Sequence, residues 1–332
     1  MILIGSLLGV LGMMMLSLGK QCFAIFLSQG LCIDLGFGLL YVPRIALVSR
    51  SFTTRRAVTL GVSTSGAPAG GIIYTCMFNQ LIAKLGLPWT VRCMGFVMLT
   101  LFSAAAVLLF VLEKENRNPD ETQRRTLLDI QAFKDRLFWR FTVANFFLDL
   151  GYLTPFYYIP TYAETELGTS STMASNILRS QACSMVGRVM LTVFARYYGS
   201  IFSLIVPGTL SGMLCITWIS ANSLAKLILS ASFCGDISGA LIPLPPSVFS
   251  YVCPDPKRLG TWLGMSQSLT SFATLLGPPI ADALASIDSH SSVDLNYLSI
   301  QLLSGITMCF GASQIIGLWY LLCTKRDRTS LS

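Results

Sequence analysis

The sequence predicts an all-α membrane protein, a bundle of about ten transmembrane helices arranged as four plus six. Three observations lead there. Of 332 residues, 53% are hydrophobic and only 12% are charged, against about 25% charged in ordinary soluble domains. The apolar residues come in blocks of roughly 18–30, and a hydrocarbon layer about 30 Å thick takes roughly 20 helical residues to cross. The blocks 138–162, 221–252 and 297–323 show the pattern. Lysine and arginine sit mostly in short connections between blocks, so the net charge of +7 points to membrane topology and not to a nucleic-acid surface.

Taken in order, the spans are 2–18, 22–46, 57–83, 89–112, 138–163, 172–196, 199–219, 222–250, 260–284 and 297–323. The first starts beside Met1. It has no basic segment ahead of its apolar run and further spans follow at once, so it reads as a retained helix and not a signal peptide. In the third, Gly66-Ala67-Pro68-Ala69-Gly70-Gly71 is no phosphate loop, because it lacks a preceding strand and a Lys-Ser/Thr end. The one long polar segment runs from Glu113 to Arg136 and reads as a solvated linker. Pro155 is expected to kink the fifth span. Pro243, Pro245 and Pro246 are expected to break the eighth, where the freed backbone must be satisfied inside the protein. The expected domains are 1–112, an N-terminal bundle of four spans; 113–137, a cytoplasmic linker; and 138–332, a C-terminal bundle of six spans with a short tail.

One set of alternate connections carries Arg50, Arg55 and Arg56, then Lys114, Arg117, Arg124, Arg125, Lys134 and Arg136, then Arg196, Lys257 and Arg258, and the tail with Lys325, Arg326 and Arg328. The opposite set holds little beyond Lys20, Lys84 and Lys226. The rich set is expected to be cytoplasmic. An even span count then puts both termini inside, in a multi-pass protein expected at the plasma membrane. The ten cysteines show no metal-ligand spacing and mostly fall inside apolar blocks, where they act as small hydrophobes. The single histidine, His290, lies in a polar loop. No metal site, cofactor loop or nucleophile–base set is visible, so neither a cofactor nor an enzymatic activity is expected.

Glycines four apart occur at Gly5/Gly9, Gly66/Gly70, Gly208/Gly212, Gly235/Gly239 and Gly260/Gly264. In lipid such pairs let helix backbones approach closely, although chance matches are common in apolar sequence.

The stretch Arg55-Arg56-Ala57-Val58-Thr59-Leu60-Gly61, continuing through Ser63-Thr64-Ser65-Gly66 to Gly70-Gly71, resembles the fungal monocarboxylate-transporter-like branch of the major facilitator superfamily. There a basic loop enters a small-residue fifth helix. Trp89-Thr90-Val91-Arg92 resembles the opening of the next helix. Gly151 to Tyr158 with Pro155 looks like the seventh, Gly187-Arg188 the eighth, and Leu259-Gly260-Thr261 through Leu276-Gly277-Pro278-Pro279-Ile280 the eleventh. The resemblance covers nearly the whole chain and implies a major-facilitator-like bundle. It also implies that Met1 stands at the start of the third of twelve helices, with the first two absent and the N-terminal bundle partial. The first-helix lysine of animal members, linked to proton and substrate binding, has no counterpart here. Those members pair an aspartate with the arginine four residues later in the eighth helix. Here Arg188 matches the arginine and Ser184 stands at the aspartate's place. Arg196 replaces the acidic residue of many facilitator cytoplasmic loops.

Ionisable groups inside a span cost at least about 2.5–3.5 kcal/mol at the helix centre and turn toward a cavity or a partner. Arg188 lies eight residues from Arg196, about 12 Å along a helix, which is deep for snorkelling. Its guanidinium suits a substrate carboxylate through two parallel hydrogen bonds; the alternative is a structural pair with a neighbouring helix. Arg179 faces away from Arg188 and suits an interfacial or interhelical role. Asn145, Asp149, Tyr152 and Phe156 share a helix face, with Pro155 expected to move Phe156 off line. Asp149 is a candidate partner for Arg188 or a proton carrier, with a buried structural pair as the alternative. Asp236 sits among small residues in Gly235-Asp236-Ile237-Ser238-Gly239. The substrate-binding set is therefore Arg188, Asp149, Tyr152, Asn145 and Ser184.

The expected function is alternating-access transport of a small organic solute, a monocarboxylate or related organic anion or metabolite, with a coupled proton as a further partner alongside the bilayer. The alternative is a non-transporting membrane protein: a sensor, an assembly partner or the product of a shortened gene.

Overall fold

A computed structural model describes residues 2–52, 56–115, 128–169, 184–218, 223–253, 255, 258–287 and 297–330. Every regular element among them is helical. Arg179, His290 and the linker stretch 116–127 lie outside the described residues. The exposed surface is the inverse of a soluble protein's: Leu3, Leu108, Phe110, Met190 and Tyr320 are each more than 60% exposed. Such a face is stable where the surrounding medium is hydrocarbon.

Helix α1 is Ile2–Leu16. The second predicted span comprises α2, Cys22–Ile25, a π-helical stretch, Phe26–Ile33, and α3, Asp34–Ser51. Helix α4 is Arg56–Glu115. Short α5, Ile130–Lys134, leads into α6, Arg136–Tyr152, and α7, Thr154–Thr165. Then come α8, Ser184–Tyr198; α9, Phe202–Thr217; and α10, Leu224–Ser238. A single 3₁₀ turn, Gly239–Leu241, joins α10 to α11, Leu244–Val252. The chain continues in α12, Leu259–Ile287, and α13, Tyr297–Ser330.

Four stretches among the described residues are long and apolar enough to cross a membrane: Cys22–Val48, Arg56–Val111, Leu224–Val252 and Tyr297–Thr324. At 56 residues the second is far longer than one crossing. It divides at Gly86, whose φ of 71° and ψ of 170° lie in a region open essentially to glycine alone. The separation of the third and fourth spans therefore rests on Gly86. Gly86→Ala is expected to destabilise the protein by about 1–3 kcal/mol through backbone strain, although a methyl would meet nothing within 4 Å. The midpoint of thermal unfolding in detergent measures this, and an unchanged midpoint would refute the strain.

Packing divides the chain into two compact units, Met1–Val48 with Gly70–Thr126, and Ser49–Ala69 with Leu127–Ser332. In the first, α1 and α3 cross glycine on glycine. A Cβ built on Gly36 would stand 2.8 Å from the Gly5 carbonyl oxygen and 2.7 Å from the Gly9 nitrogen. Near the Lys20 end, Arg92 donates through Nε to Ser17 at 3.2 Å and covers the Trp89 ring at 5.0 Å.

In the second unit α6 packs against α12 and α13, and α9 also packs on α13. Small residues set these spacings. A Cβ on Gly311 would meet the Ala144 carbonyl oxygen at 2.8 Å, and one on Gly212 the Gly305 carbonyl oxygen at 2.9 Å. Phe138, Phe141 and Phe249 interlock edge to face, at 6.2 Å and 5.0 Å between centroids about Phe249, a favoured aromatic geometry. Cys215 and Cys234 are buried with their sulfurs 3.9 Å apart, and Cys215 lies 4.0 Å from the Met308 sulfur. These cysteines therefore fill the space between α9, α10 and α13.

The glycine pairs divide by what stands opposite them. Gly5/Gly9 and Gly208/Gly212 meet helix partners, whereas Cβ atoms on Gly66 and Gly70 would meet nothing within 4 Å among the described residues. Spacing supplies a smooth face, but only a facing backbone turns it into a contact.

On the polar rim, Asp129 caps α5 by accepting from the Gln131 N–H at 3.0 Å. It also accepts from Trp262 Nε1 at 2.9 Å and pairs with Arg258 at 3.1 Å. The Trp262 hydrogen bond, then the Gln131 N–H and Arg258, hold its carboxyl below the ordinary carboxylate range. This docking of α5 on α12 is complete above a pH of about 4, the ordinary carboxyl pKa, and is lost as pH falls through the depressed value.

Candidate functional site

Two prolines in helices determine much of the site. A proline in a helix has no N–H for the carbonyl four residues earlier. Pro68 thereby frees the Thr64 carbonyl, and Pro155 frees that of Gly151. In a membrane bundle both must be met from neighbouring helices. Ser304 of α13 donates to the Gly151 carbonyl at 2.7 Å. Arg188 of α8 donates through Nη1 to the Thr64 carbonyl at 2.6 Å.

The Arg188 contact belongs to a longer seam. The first three turns of α4 run antiparallel to the last three turns of α8. A Cβ on Gly61 would stand 2.9 Å from the Arg188 carbonyl oxygen, so the backbones touch midway along the seam. Thr64 is eight residues inside Arg56 and Arg188 eight residues inside Arg196. Both therefore sit about 12 Å from the basic end of the seam. Arg188 is buried, at 5% exposure, deep in the bundle, as its sequence position suggested.

Around Arg188 three more helices converge. The Arg188 side chain, Asp149 and Cys234 all lie close to the Tyr152 hydroxyl of α6. Asp149, one turn before Tyr152, lies near Thr270 of α12, whose hydroxyl donates to the Gln267 carbonyl at 3.3 Å. Gly239, just past α10, packs beneath: a Cβ there would lie 3.3 Å from Arg188 Cγ and 2.8 Å from the Ser184 carbonyl oxygen. The crossing of α8 on α10 is closest at Gly187, where a Cβ would overlap the Asp236 carbonyl and stand 2.8 Å from Asp236 Oδ1. That oxygen is buried and lacks a hydrogen-bond partner among the described residues.

Of the predicted residues, the structure gathers Arg188, Tyr152 and Asp149 into one cluster, with Ser184 one turn from Arg188. Asn145 is buried on the same face of α6, one turn beyond Asp149. The kink at Pro155 falls where expected, between α6 and α7, yet Phe156 remains on Tyr152, with ring centroids 5.2 Å apart. The bend therefore does not carry Phe156 off the face. Asp236 also comes close to the cluster, through the glycine-lined crossing. Asp34 and Asp282 are exposed.

Sequence reasoning missed Thr64, Thr142, Ser266 and Thr270. Thr142 pairs with Ser266 at 3.0 Å and extends the polar face of α6 through positions 142, 145, 149 and 152. That spacing was present in the sequence, as was the rule that locates a proline's freed carbonyl. Which donor reaches the carbonyl was not.

A bundle of apolar helices that gathers arginine, tyrosine, asparagine and carboxylate groups at a buried position is a polytopic membrane protein with an internal polar site. A family model of the Major Facilitator Superfamily matches residues 1–254, and the chain belongs to that family. It is 33% identical over 310 residues to the MFS-type transporter dbaD of Emericella nidulans, covering 92% of this chain and 67% of that protein. It is 30% identical over 314 residues to the aspyridones efflux protein apdF of the same fungus, covering 94% and 62%. The chain thus spans about two thirds of the length of these curated relatives, which are named as transporters and not as enzymes. The Escherichia coli fucose:proton symporter FucP shares the fold, with a TM-score of 0.74 over 96% of this chain and 83% of that one, at 16% identity.

Proposed function

We propose that this chain serves as a secondary transporter for a small organic solute, a monocarboxylate or related anionic metabolite, and moves it by alternating access at the plasma membrane with both termini cytoplasmic. The efflux activity stated in the name of the relative apdF supports export of a fungal metabolite as the direction. The observation that carries the reading is the placement of Arg188, a buried cation that donates through Nη1 to the Thr64 backbone carbonyl. That neutral acceptor can give way to a carboxylate, which a guanidinium binds more strongly than a carbonyl.

In this reading Arg188 receives the carboxylate, Tyr152 and Asn145 hydrogen-bond the rest of the solute, and Ser184 leaves space where an acidic residue would compete for the guanidinium. Asp149 carries the coupled proton. Solute arrival frees the Thr64 carbonyl, which weakens the α4–α8 seam and lets the site open toward the basic, cytoplasmic side. Binding and opening are thereby linked through one side chain. The proposed division is 1–112, the linker 113–137 and 138–332, with alternating access by movement of the bundles.

The test is flux of radiolabelled monocarboxylates in cells expressing the chain, against cells without it; equal flux rejects the reading. Asp149→Asn is expected to keep solute exchange while removing its response to an imposed pH gradient. An unchanged gradient response would move proton carriage to another group.

A further inference from the structure

At the basic end of the α4–α8 seam lies a cavity of about 180 Å³ between α4, α8 and α11. Its polar lining comes from Arg56, Arg196, Ser200, Ser247, Ser250 and Tyr251. No carboxylate is among the described lining residues. Two arginines and four hydroxyl-bearing residues thus border one small space. The Ser200 and Ser247 hydroxyls lie 2.9 Å apart, and the Ser250 hydroxyl donates to the Ser247 carbonyl at 2.7 Å. The first turn of α4 also lines the space, and a helix start presents N–H groups and the positive end of its dipole. The closing ends of α8 and α11 offset part of that dipole, but not two formal charges.

The surroundings place this cavity at a membrane surface. Tyr197, Tyr198 and Tyr251 are 75%, 63% and 58% exposed, and Phe202 is 47% exposed. Aromatic side chains collect at the headgroup level. The connections at this end carry Arg50 and Arg55, which marks the cytoplasmic side, where anionic lipids gather and basic pockets between helices take their headgroups.

We propose that this cavity binds a phosphate group, presented by an anionic phospholipid of the cytoplasmic leaflet or by free phosphate, and that the bound group ties α4 to α8 at the mouth of the seam. Arg56 and Arg196 supply charge-assisted hydrogen bonds from the two helices, with Ser200 as a hydroxyl donor. The site is separate from the Arg188 cluster, and its test does not depend on transport.

The experiment is thermal unfolding of the full chain in nanodiscs of three kinds: phosphatidylcholine alone, phosphatidylcholine with phosphatidic acid, and phosphatidylcholine alone with added sodium phosphate, at matched ionic strength. A midpoint raised by phosphatidic acid assigns the lipid. A midpoint raised by sodium phosphate alone assigns the free ion. In either case the R56Q/R196Q variant is expected to need roughly tenfold or more of the same additive for half the rise. Ser250→Leu fills the cavity while retaining both arginines and is expected to lose the response in the same way, which keeps the test open if the double variant folds poorly. No shift with either additive, or an undiminished response in both variants, overturns the proposal.

Discussion

Arg188→Ala is expected to reduce solute flux to background and to lower stability at the same time, and a second substitution should separate the two effects. The stability loss comes from the Thr64 carbonyl. Pro68 removes its intrahelical donor, and Arg188 replaces that donor at 2.6 Å. Without the guanidinium the carbonyl is left in the bundle unsatisfied, at a cost of about 1–3 kcal/mol. Pro68→Ala restores the N–H four residues on, so the Pro68→Ala/Arg188→Ala double variant is expected to recover most of the lost stability. Flux is not expected to recover, because the solute's carboxylate still lacks its cation. Pro68→Ala alone is expected to be stable but to loosen the grip of Arg188 on α4. Thermal midpoints in detergent and labelled-solute flux on the four proteins form a complete cycle. Recovery of flux in the double variant would show that Arg188 acts only as a brace for α4.

Gly187→Val is expected to abolish the folded protein. A Cβ at this position overlaps the Asp236 carbonyl, a backbone atom that no rotamer change can move aside. Overpacking commonly costs about 1–3 kcal/mol where side chains can give way, and more where they cannot. The α8–α10 crossing would have to part, and with it the placement of Arg188 one residue on. Gly239→Ala, facing Ser184 and the flexible Arg188 stem, is expected to do less harm. The monodisperse fraction after detergent extraction and the unfolding midpoint measure both. A Gly187→Val protein that extracts and unfolds like the parent would contradict the close crossing.

The helical spans and their breaks were legible because each follows from local chemistry. Apolar length predicts a crossing. Gly86 separates the third and fourth spans, and Pro155 separates α6 from α7. The prolines at 243, 245 and 246 break the eighth span, which the structure resolves into α10, a 3₁₀ turn and α11. The π-helical stretch at Phe26–Ile33 was not legible. No proline occurs there, and the local widening accompanies the approach of Gly12 to Ile33 and to the Ser28 carbonyl, a contact between elements distant in local pattern.

In the site, the sequence by itself determined which groups are costly to bury in lipid, namely Arg188, Asp149 and Asp236, and which carbonyls lose their helical donors, those of Thr64 and Gly151. These follow from residue type and from spacings of three or four along one helix. Only the tertiary structure decided that Arg188 reaches Thr64, that Ser304 reaches Gly151, that Thr270 lies near Asp149, and that Gly187 faces a backbone while Gly66 and Gly70 meet none among the described residues. Such pairings join residues as far as 153 positions apart. Their geometry depends on helix crossings set by many small side chains together, which no single stretch of sequence contains.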